Sequence, residues 1–366
     1  MLETTGTYEK LIALINRYQK VSTIPLLISI DGEYGLAMRI ENTPQYPFAI
    51  TLGALNENAE SQVEEVGYRM GLDMKRSGIH LNLAPCADVN TNPDNPVIGY
   101  RSFGNMPEKV SKLAFAAYSG MKKAGIGACL KHFPGHGDTA TDSHLGLPIL
   151  HKSKEELEAE ELLPFQYGID RGVELIMVGH LAVPALTGGE NIPASISREL
   201  ITDLLKGEMG FKGLVISDAL NMKAVANLFP EPGELEWQAF HAGNDLLCFS
   251  DHVSEGITKI AQQASDSAID TVFEKVMDLK TRLGVLETKP IEVPAFDWES
   301  HAELQQNLAE NYVSVISGEV NPVALQAMAK AGKLGYHEFF TSSPSHFSRL
   351  VDLSFSPIKE AEKVIL

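Results

Sequence analysis

The richest group of chemically active side chains in this sequence is the stretch KHFPGHGDTATDSH, from Lys131 to His144. It holds three histidines, two aspartates, a lysine and three hydroxyl residues, and it directly follows an apolar run. Pro134, Gly135 and Gly137 disfavour a regular helix, so the pattern predicts a shaped loop. Loops on a rigid scaffold often carry catalytic and binding residues, although a polar surface loop with locally hydrogen-bonded histidines fits the same residues.

Asp142 and His144, two residues apart, are suited to proton transfer. A carboxylate that accepts a hydrogen bond from one imidazole nitrogen fixes the tautomer and leaves the other nitrogen to give or take a proton. Asp218 closes the apolar run GLVISD, where it can act as a nucleophile or as an electrostatic partner. The alternative interpretation of Asp218 is an N-cap for a following helix.

Further polar residues follow other apolar runs. Asp31 and Arg39 belong to IDGEYGLAMR, which also contains Glu33, and Arg101 belongs to IGYRSFG. Carboxylates and guanidinium groups make strong hydrogen bonds to ligand hydroxyls, but each of these residues also fits a surface ion pair. His180, in VGHLAVP, is either a site residue or a histidine satisfied by local hydrogen bonds.

The elements that must position these residues are short apolar runs that alternate with amphipathic segments. The runs predict strands, at 25–31, 79–89, 126–132, 174–180, 213–218 and 244–249. The segments predict helices, at 59–76, 107–124, 153–168 and 198–208. Strands that are apolar on both faces and separated by helices are typical of a parallel sheet covered by helices, which is an α/β fold.

Four of the runs end in polar residues, namely Asp31, Lys131 with His132, His180 and Asp218. In a (β/α)8 barrel the carboxyl ends of all strands form the active-site face, whereas a doubly wound sheet has one ligand crevice. No Gly-rich nucleotide-binding motif follows any of the runs, so the pattern favours the TIM-like barrel. Only six strands are evident where this barrel needs eight, so we expect a missing or irregular strand at the N-terminus.

Composition and charge disfavour several classes of protein. The chain has 366 residues, 44% of them hydrophobic, and its net charge of -18 argues against nucleic-acid and membrane-surface partners. Three widely separated cysteines, each in an apolar run, predict free thiols that are buried. No apolar run reaches the roughly 18 residues of a membrane span, and the first residues lack the pattern of a secretory signal. We therefore expect a cytoplasmic protein.

The pattern changes after about residue 287, where KPIEVPAFDWE predicts a linker. We expect a barrel domain over residues 1–287 and a linker with an α/β extension over residues 288–366. Within the extension, helices are predicted from His301 and from Val323 to Ala331. No catalytic pattern is evident in this part of the sequence.

Taken together, KHFPGHGDTATDSH, VISDAL, DGEYGLAMR and RSFG resemble glycoside hydrolase family 3. Within the family they resemble the β-N-acetylglucosaminidase branch that recycles bacterial cell walls. The resemblance covers about Tyr8 to Gly284, and the motifs occur in the family's order. It implies a retaining exo-β-N-acetylglucosaminidase that acts on muropeptides or chito-oligosaccharides, with a small-molecule saccharide as partner and with no cofactor or metal.

The resemblance also implies roles for individual residues. Asp218 would be the nucleophile, and His144, held by Asp142, would be the acid/base. The sugar in the −1 position would be held by Asp31, Arg39, Arg101, Lys131 and His132, with Met177 and His180 lining the pocket. The usual retaining pair is two carboxylates, so a histidine acid/base departs from the general pattern.

Several alternatives remain open on the residues alone. A β-glucosidase or an N-acetylglucosaminide phosphorylase of the same family would keep the chemistry and change the sugar or the acceptor. A barrel that binds saccharides without turnover is the non-enzymatic alternative, and an intact catalytic set argues against it. A metal-dependent barrel hydrolase would bind zinc through donors among His132, His136, His144, His180 and Asp218.

Overall fold

The structure, a computed structural model, describes residues 6–55, 58–140, 146–287, 289–312, 334–336 and 363–365. Strands alternate with helices between residues 6 and 287, and the prediction of an α/β fold is confirmed. The strands are β1 Ser29–Ile30, β2 Leu81–Asn82, β3 Gly127–Ala128, β4 Leu130–Phe133, β5 Leu175–Val178, β6 Leu214–Ser217, β7 Leu334–Tyr336 and β8 Lys363–Ile365. The α-helices are α1 Tyr8–Val21, α2 Ala49–Gly53, α3 Ala59–Arg76, α4 Pro107–Ala124, α5 Lys154–Ala159, α6 Leu163–Ile169, α7 Lys223–Ala226, α8 Glu234–Ala242, α9 Val253–Gln263, α10 Asp266–Arg282 and α11 Trp298–Tyr312.

The strands β1 to β6 pair in parallel and in chain order. β1, β2 and β3 form one three-stranded sheet, and β4, β5 and β6 form another. Only Cys129 separates β3 from β4, and a bridge between Cys86 and Lys131 continues the β2 pairing onto β4. A parallel bridge also joins Ile216 of β6 to Leu246. The carboxyl ends of successive segments therefore meet at one edge, which is where the polar residues were predicted to gather.

Several strands are shorter than their apolar runs predict. β2 ends at Asn82. Pro85 follows three residues later, and because proline has no backbone N–H it cannot donate to a neighbouring strand if the pairing continued. The run 126–132 divides into β3 and β4, and the pairing of β4 with β5 shifts register between Leu130 and Phe133. The run 244–249 contributes the bridge at Leu246 instead of the predicted strand.

Two apolar clusters lie on the two faces of these strands. The first, which we call the inner cluster, contains alternate residues in and directly beside the strands, with one residue of α10. Its members are Leu81, Leu83, Cys129, Leu175, Met177, Leu214, Ile216 and Leu279. The intervening residues, such as Leu130 and Ile176, pack with the helices in a larger cluster. Because side chains alternate between the faces of a strand, both faces are buried here, and the runs are apolar throughout.

α3 and α4 have the bounds that the sequence predicts. Pro107 begins α4, where its missing N–H is not needed, and Gly125 follows the helix with a φ of +87° that favours glycine. The predicted helix 153–168 divides into α5 and α6, because Pro164 in the first turn of α6 cannot continue a helix from α5. The predicted helix 198–208 is a π-type helix, Glu199–Glu208.

The chain divides into two compact units, Met1–Tyr312 and Val313–Leu366. In the first unit, Ile291 exchanges two hydrogen bonds with the Asn16 side chain, and Leu304 and Leu308 of α11 are buried. In the second unit β7 pairs in parallel with β8, and the helix predicted over 323–331 lies outside the described residues. Among the described helices, none combines the length and the apolar character that crossing a membrane requires.

Candidate active site

The predicted site residues converge on Lys131 of β4. Its ammonium nitrogen lies 2.9 Å from Asp31 Oδ1 and 2.8 Å from Glu33 Oε1, and only 2% of the side chain is exposed. Lys131 is two residues beyond Cys129, so its side chain extends the inner cluster toward the carboxyl ends of the strands. Burial lowers the pKa of Lys131, but Asp31 and Glu33 raise it by more, so the ammonium stays charged.

Glu33 also accepts two hydrogen bonds from the Arg101 guanidinium. Arg101 Nε lies 2.9 Å from Glu33 Oε2, and Arg101 Nη2 lies 2.8 Å from Glu33 Oε1. Burial raises the pKa of the Glu33 carboxyl, but Arg101 and Lys131 lower it to well below its usual range. This two-point contact fixes the plane of the guanidinium, whose Nη2 also lies 3.2 Å from His132 Nε2.

Arg39 approaches Asp31 on its solvent side. Arg39 Nη2 lies 3.3 Å from Asp31 Oδ2, and Arg39 Nε donates to the Asp31 carbonyl at 3.2 Å. The Asp31 side chain is 37% exposed, so the network opens to solvent at this residue. We call the joined set the polar cradle, which consists of Asp31, Glu33, Arg39, Arg101, Lys131 and His132.

Asp88 is buried, follows β2 in the chain and binds His132 of the polar cradle. Asp88 Oδ2 lies 2.7 Å from His132 Nδ1, and the Asp88 carboxylate also accepts from the backbone N–H of His132 and of His136. Burial raises the pKa of Asp88, but attraction to His132 and these hydrogen bonds lower it overall. In the neutral ring, His132 carries its proton on Nδ1, since Nε2 faces the Arg101 guanidinium, which can only donate.

Asp218 lies directly after β6, next to the end of β5. Its backbone N–H donates to the Val178 carbonyl at 2.9 Å, and its Oδ1 accepts from the Ala219 N–H at 2.7 Å. The side chain is half-buried. α7 begins at Lys223 with Met222 at its N-cap, so Asp218 does not cap a following helix.

The electrostatic surroundings keep Asp218 ionised. Burial raises its pKa, but His180, His132, the Ala219 N–H and Lys131 together lower it below its usual range. A carboxylate that is charged and only half-buried can attack an electrophilic carbon without first losing a proton. The lowered pKa of Asp218 is what the nucleophilic interpretation requires, and that role stays a prediction.

His180 and Met177 occupy buried positions on the β5 side of the site. His180 Nε2 lies 2.9 Å from the Ala219 carbonyl, and His180 Nδ1 lies 2.6 Å from the Ser195 hydroxyl. A carbonyl only accepts, so His180 donates to the residue that follows Asp218. Met177 belongs to the inner cluster and is 2% exposed.

Asp142 and His144, the predicted acid/base pair, lie outside the described residues. The stem of their loop is described up to Ala140. Within this stem His136 Nδ1 lies 2.6 Å from the Thr139 hydroxyl. Burial and the neighbouring His132 lower the pKa of His136 to about 4, so its ring is neutral at pH 7.

Among the histidines predicted as zinc donors, His136 has a buried Nε2 with no hydrogen-bond partner within the protein, whereas the other described ones are already engaged. The ring nitrogens of His132 and His180 already have protein partners. Cys86, Asp88 and His132 place one donor atom each within 4.8 Å of one another. However, burial raises the pKa of the Cys86 thiol and so disfavours the thiolate that would bind a metal, and the Asp88 oxygens already accept hydrogen bonds.

Two residues of the site were not among those predicted to form it. Asp88 is the second-to-last residue of the apolar run 79–89, whereas Asp31 and Asp218 are the last residues of theirs, so a rule that considers only the last residue passes over it. Glu33 is a charged residue two positions after Asp31, but the sequence gives no sign that it would bind both Arg101 and Lys131. All three cysteines are free thiols, as predicted, and Cys248 is only partly buried.

Comparison with known proteins identifies clear relatives. The family model described as glycosyl hydrolase family 3 N terminal domain matches residues 1–283. β-Hexosaminidase A of Pseudoalteromonas piscicida is 36% identical over 262 residues, which are 67% of this chain and 44% of that protein. β-Hexosaminidase of Tolumonas auensis is 37% identical over 65% of this chain and 70% of that protein. The chain thus spans less than half the length of the first relative.

Several solved structures are also similar to this chain. A glycoside hydrolase family 3 β-N-acetylglucosaminidase from Paenibacillus has a TM-score of 0.81 and 29% identity, and the match covers 98% of this chain and 71% of that one. NagZ from Neisseria gonorrhoeae has a TM-score of 0.66 and 28% identity, over 83% of this chain and 87% of that one. A β-glucoside phosphorylase, BglX, has a TM-score of 0.82 at 22% identity, over 98% of this chain and 70% of that one, and this similarity shows the fold alone.

Proposed function

Because this chain belongs to glycosyl hydrolase family 3, as its motifs predict, we propose that it is a retaining exo-β-N-acetylglucosaminidase. The observation that carries the proposal is the position of Asp218, which directly follows β6 and donates its N–H to Val178 of β5, at the same edge of the β4–β5–β6 sheet as Lys131 of the polar cradle. The names of its relatives, β-hexosaminidase and β-N-acetylglucosaminidase, support the choice of sugar. Terminal N-acetylglucosamine of muropeptides or chito-oligosaccharides is the proposed substrate.

In the first step, the Asp218 carboxylate attacks the anomeric carbon, and the glycosidic C–O bond breaks. The leaving oxygen takes a proton from His144, which Asp142 orients. In the second step, water gives a proton to His144 and attacks the same carbon, which releases Asp218. His144 gives this proton as an imidazolium and is then neutral, whereas a carboxylic acid would become an anion, so the histidine adds no second negative charge beside Asp218.

The polar cradle is proposed to hold the sugar in the −1 position. Asp31 offers carboxylate oxygens at the open side of the cradle, and Arg39, Arg101 and Lys131 offer N–H donors around it. His132 would take part by holding the Arg101 guanidinium in place. Because these side chains already hold one another, the cradle is organised before the sugar binds, which lowers the entropic cost of positioning. We propose that Met177 and His180 line the same pocket from β5.

The proposal also includes the predicted barrel, the predicted domain bounds and the predicted cellular role. Parallel strands in chain order, the inner cluster and the TM-scores to family members support a TIM-like barrel whose first strands are irregular. Residues 1–287 would be the catalytic domain and residues 288–366 an extension, of which 289–312 packs within the first unit. A cytoplasmic role in peptidoglycan recycling is proposed from the family branch that the motifs resemble.

The test is release of 4-nitrophenol from its β-N-acetylglucosaminide and from its β-glucoside, with and without phosphate. Wild type and Asp218→Asn are compared, and circular dichroism establishes that both are folded. We expect turnover of the N-acetyl substrate that does not need phosphate and that is lost in Asp218→Asn. Preference for the glucoside would make the protein a β-glucosidase, and a requirement for phosphate would make it a phosphorylase. No turnover by folded wild type would contradict the proposal.

A further inference from the structure

Three aromatic side chains form a surface patch, the aromatic rim, which consists of the half-buried Tyr34 and the exposed Phe48 and Tyr100. The ring centroids of Tyr34 and Phe48 are 4.9 Å apart with the planes nearly perpendicular, and those of Phe48 and Tyr100 are 4.8 Å apart. Tyr100 is 56% exposed and Phe48 is 36% exposed. Contiguous apolar surface that a chain leaves open to water marks a binding surface more often than scattered single residues do.

The aromatic rim borders the polar cradle. Tyr34 directly follows Glu33, and Tyr100 directly precedes Arg101, while Glu33 and Arg101 are joined by two hydrogen bonds. Consecutive Cα atoms are about 3.8 Å apart, so the Cα atoms of the two tyrosines lie next to those of the cradle residues Glu33 and Arg101. Arg39, on the segment that follows Tyr34, contacts Asp31 where the cradle opens to solvent.

The backbone around the rim is tightly packed. Gly35 has a φ of +92°, and a Cβ there would lie 2.7 Å from the Tyr46 ring, while the Tyr46 N–H donates to the Tyr34 carbonyl at 3.0 Å. Phe48 is the N-cap residue of α2, whose last residue, Gly53, would clash with the backbone of Phe103 if it carried a Cβ. The segments that carry Phe48 and Tyr100 are thus held against each other, so the rim is organised before a ligand binds.

We propose that the aromatic rim binds the second sugar of the substrate, the pyranose attached to the leaving oxygen. This inference rests on the proposed function, since the polar cradle must first hold the terminal sugar. A pyranose ring exposes apolar C–H groups on its faces, and flat aromatic side chains pack against such faces. The cradle offers charged groups for hydroxyls, whereas the rim offers rings, so the two surfaces suit the two successive sugars of a chito-oligosaccharide.

The experiment compares two substrates that differ only beyond the scissile bond. N-acetyl-β-glucosaminyl fluoride has no second sugar, whereas N,N′-diacetylchitobiose has one. We expect Tyr100→Ala to lower kcat/KM on chitobiose about tenfold while kcat/KM on the fluoride changes less than about twofold. Tyr100→Phe keeps the ring and should behave like wild type. Tyr18→Ala, which removes an exposed tyrosine of α1, is the matched control and should change neither value.

The outcomes separate this inference from the proposed function. Wild type that turns over neither substrate would refute the proposed function, and the second-sugar site would fall with it. If wild type turns over both substrates and Tyr100→Ala lowers both values equally, or neither, the rim does not bind the second sugar. A change in oligomeric state for Tyr100→Ala, measured by gel filtration without a selective loss on chitobiose, would make the rim a contact between copies of this chain.

Discussion

Asp88 Oδ2 lies 2.7 Å from His132 Nδ1, and both residues are buried. The same carboxylate accepts hydrogen bonds from the backbone N–H of His132 and of His136, so every polar contact of Asp88 in this arrangement comes from a donor. His132 in turn contacts Arg101, which holds Glu33. One buried carboxylate thus sets the orientation of a histidine in the cradle and of the loop stem that follows it.

Replacing Asp88 with Asn should disturb this arrangement. An amide presents one NH2 group where the carboxylate presents an oxygen, so at least one donor would face another donor. We expect kcat/KM to fall about 100-fold through misplacement of His132 and the loop stem. Steady-state kinetics with 4-nitrophenyl β-N-acetylglucosaminide would measure the effect, and Asp94→Asn, at an exposed residue, is the matched control. Activity of Asp88→Asn within threefold of wild type would contradict this role.

Asp31→Asn should lower activity without unfolding the protein. Asp31 is the most exposed carboxylate of the polar cradle, and Lys131 keeps Glu33 as a partner when the charge of Asp31 is removed. We expect kcat/KM to fall about 100-fold because the sugar loses a positioning contact. Asp278→Asn removes a surface carboxylate that pairs with Arg282 and should leave kcat/KM unchanged. A wild-type value in Asp31→Asn would remove this residue from the site.

The lowered pKa of Glu33 predicts how stability depends on pH. The unfolded chain binds this proton at about pH 4.3, whereas the folded protein binds it only at lower pH. The contribution of Glu33 is therefore fully present above about pH 4.3 and is lost as pH falls toward the folded pKa.

Urea unfolding of wild type and Glu33→Gln between pH 7 and pH 3 would measure this contribution. At pH 7 the variant should be less stable by about 3–5 kcal/mol, because Arg101 and Lys131 lose a buried partner. The difference should shrink as pH falls, while Glu155→Gln, at an exposed site, should follow wild type throughout. A difference that stays constant down to pH 3 would show that Glu33 is not held ionised by its partners.

His144→Ala tests the proposed acid/base. Chitobiose has a poor leaving group that needs a proton, whereas 4-nitrophenolate leaves readily without one. We expect kcat/KM to fall about 10²–10⁴-fold on chitobiose and much less on the 4-nitrophenyl glycoside. Ser143→Ala, at the preceding residue, is the control for disturbance of the loop. Equal losses on the two substrates would mean that His144 does not protonate the leaving group.

The sequence predicts the fold and the strand-end residues because both follow from local patterns. α3 and α4 were predicted with their observed bounds, since an amphipathic repeat, Pro107 and Gly125 act within a few residues. Asp31, Asp218 and the pair Lys131 with His132 are evident in the sequence because each stands at the end of a run that is apolar on both faces.

The contacts between distant segments were not predictable in the same way. Lys131 meets Asp31 across 100 residues of sequence, and Arg101 meets Glu33 across 68. Nothing local indicates that Glu33 would hold two cations or that Asp88 would orient His132, because these contacts arise only when successive strands lie side by side. The single bridge at Leu246 likewise depends on β6 and not on the run 244–249 itself.

The central claim is that Asp218 forms a covalent bond with the sugar. A 5-fluoro-N-acetylglucosaminyl fluoride slows release of a glycosyl-enzyme, so the wild-type protein would be incubated with it and analysed as intact protein and as peptides by mass spectrometry. The account predicts one added fluorosugar, carried by the peptide that contains Asp218, and no addition to Asp218→Asn. A label on another residue, or an active protein that is never labelled, would contradict it.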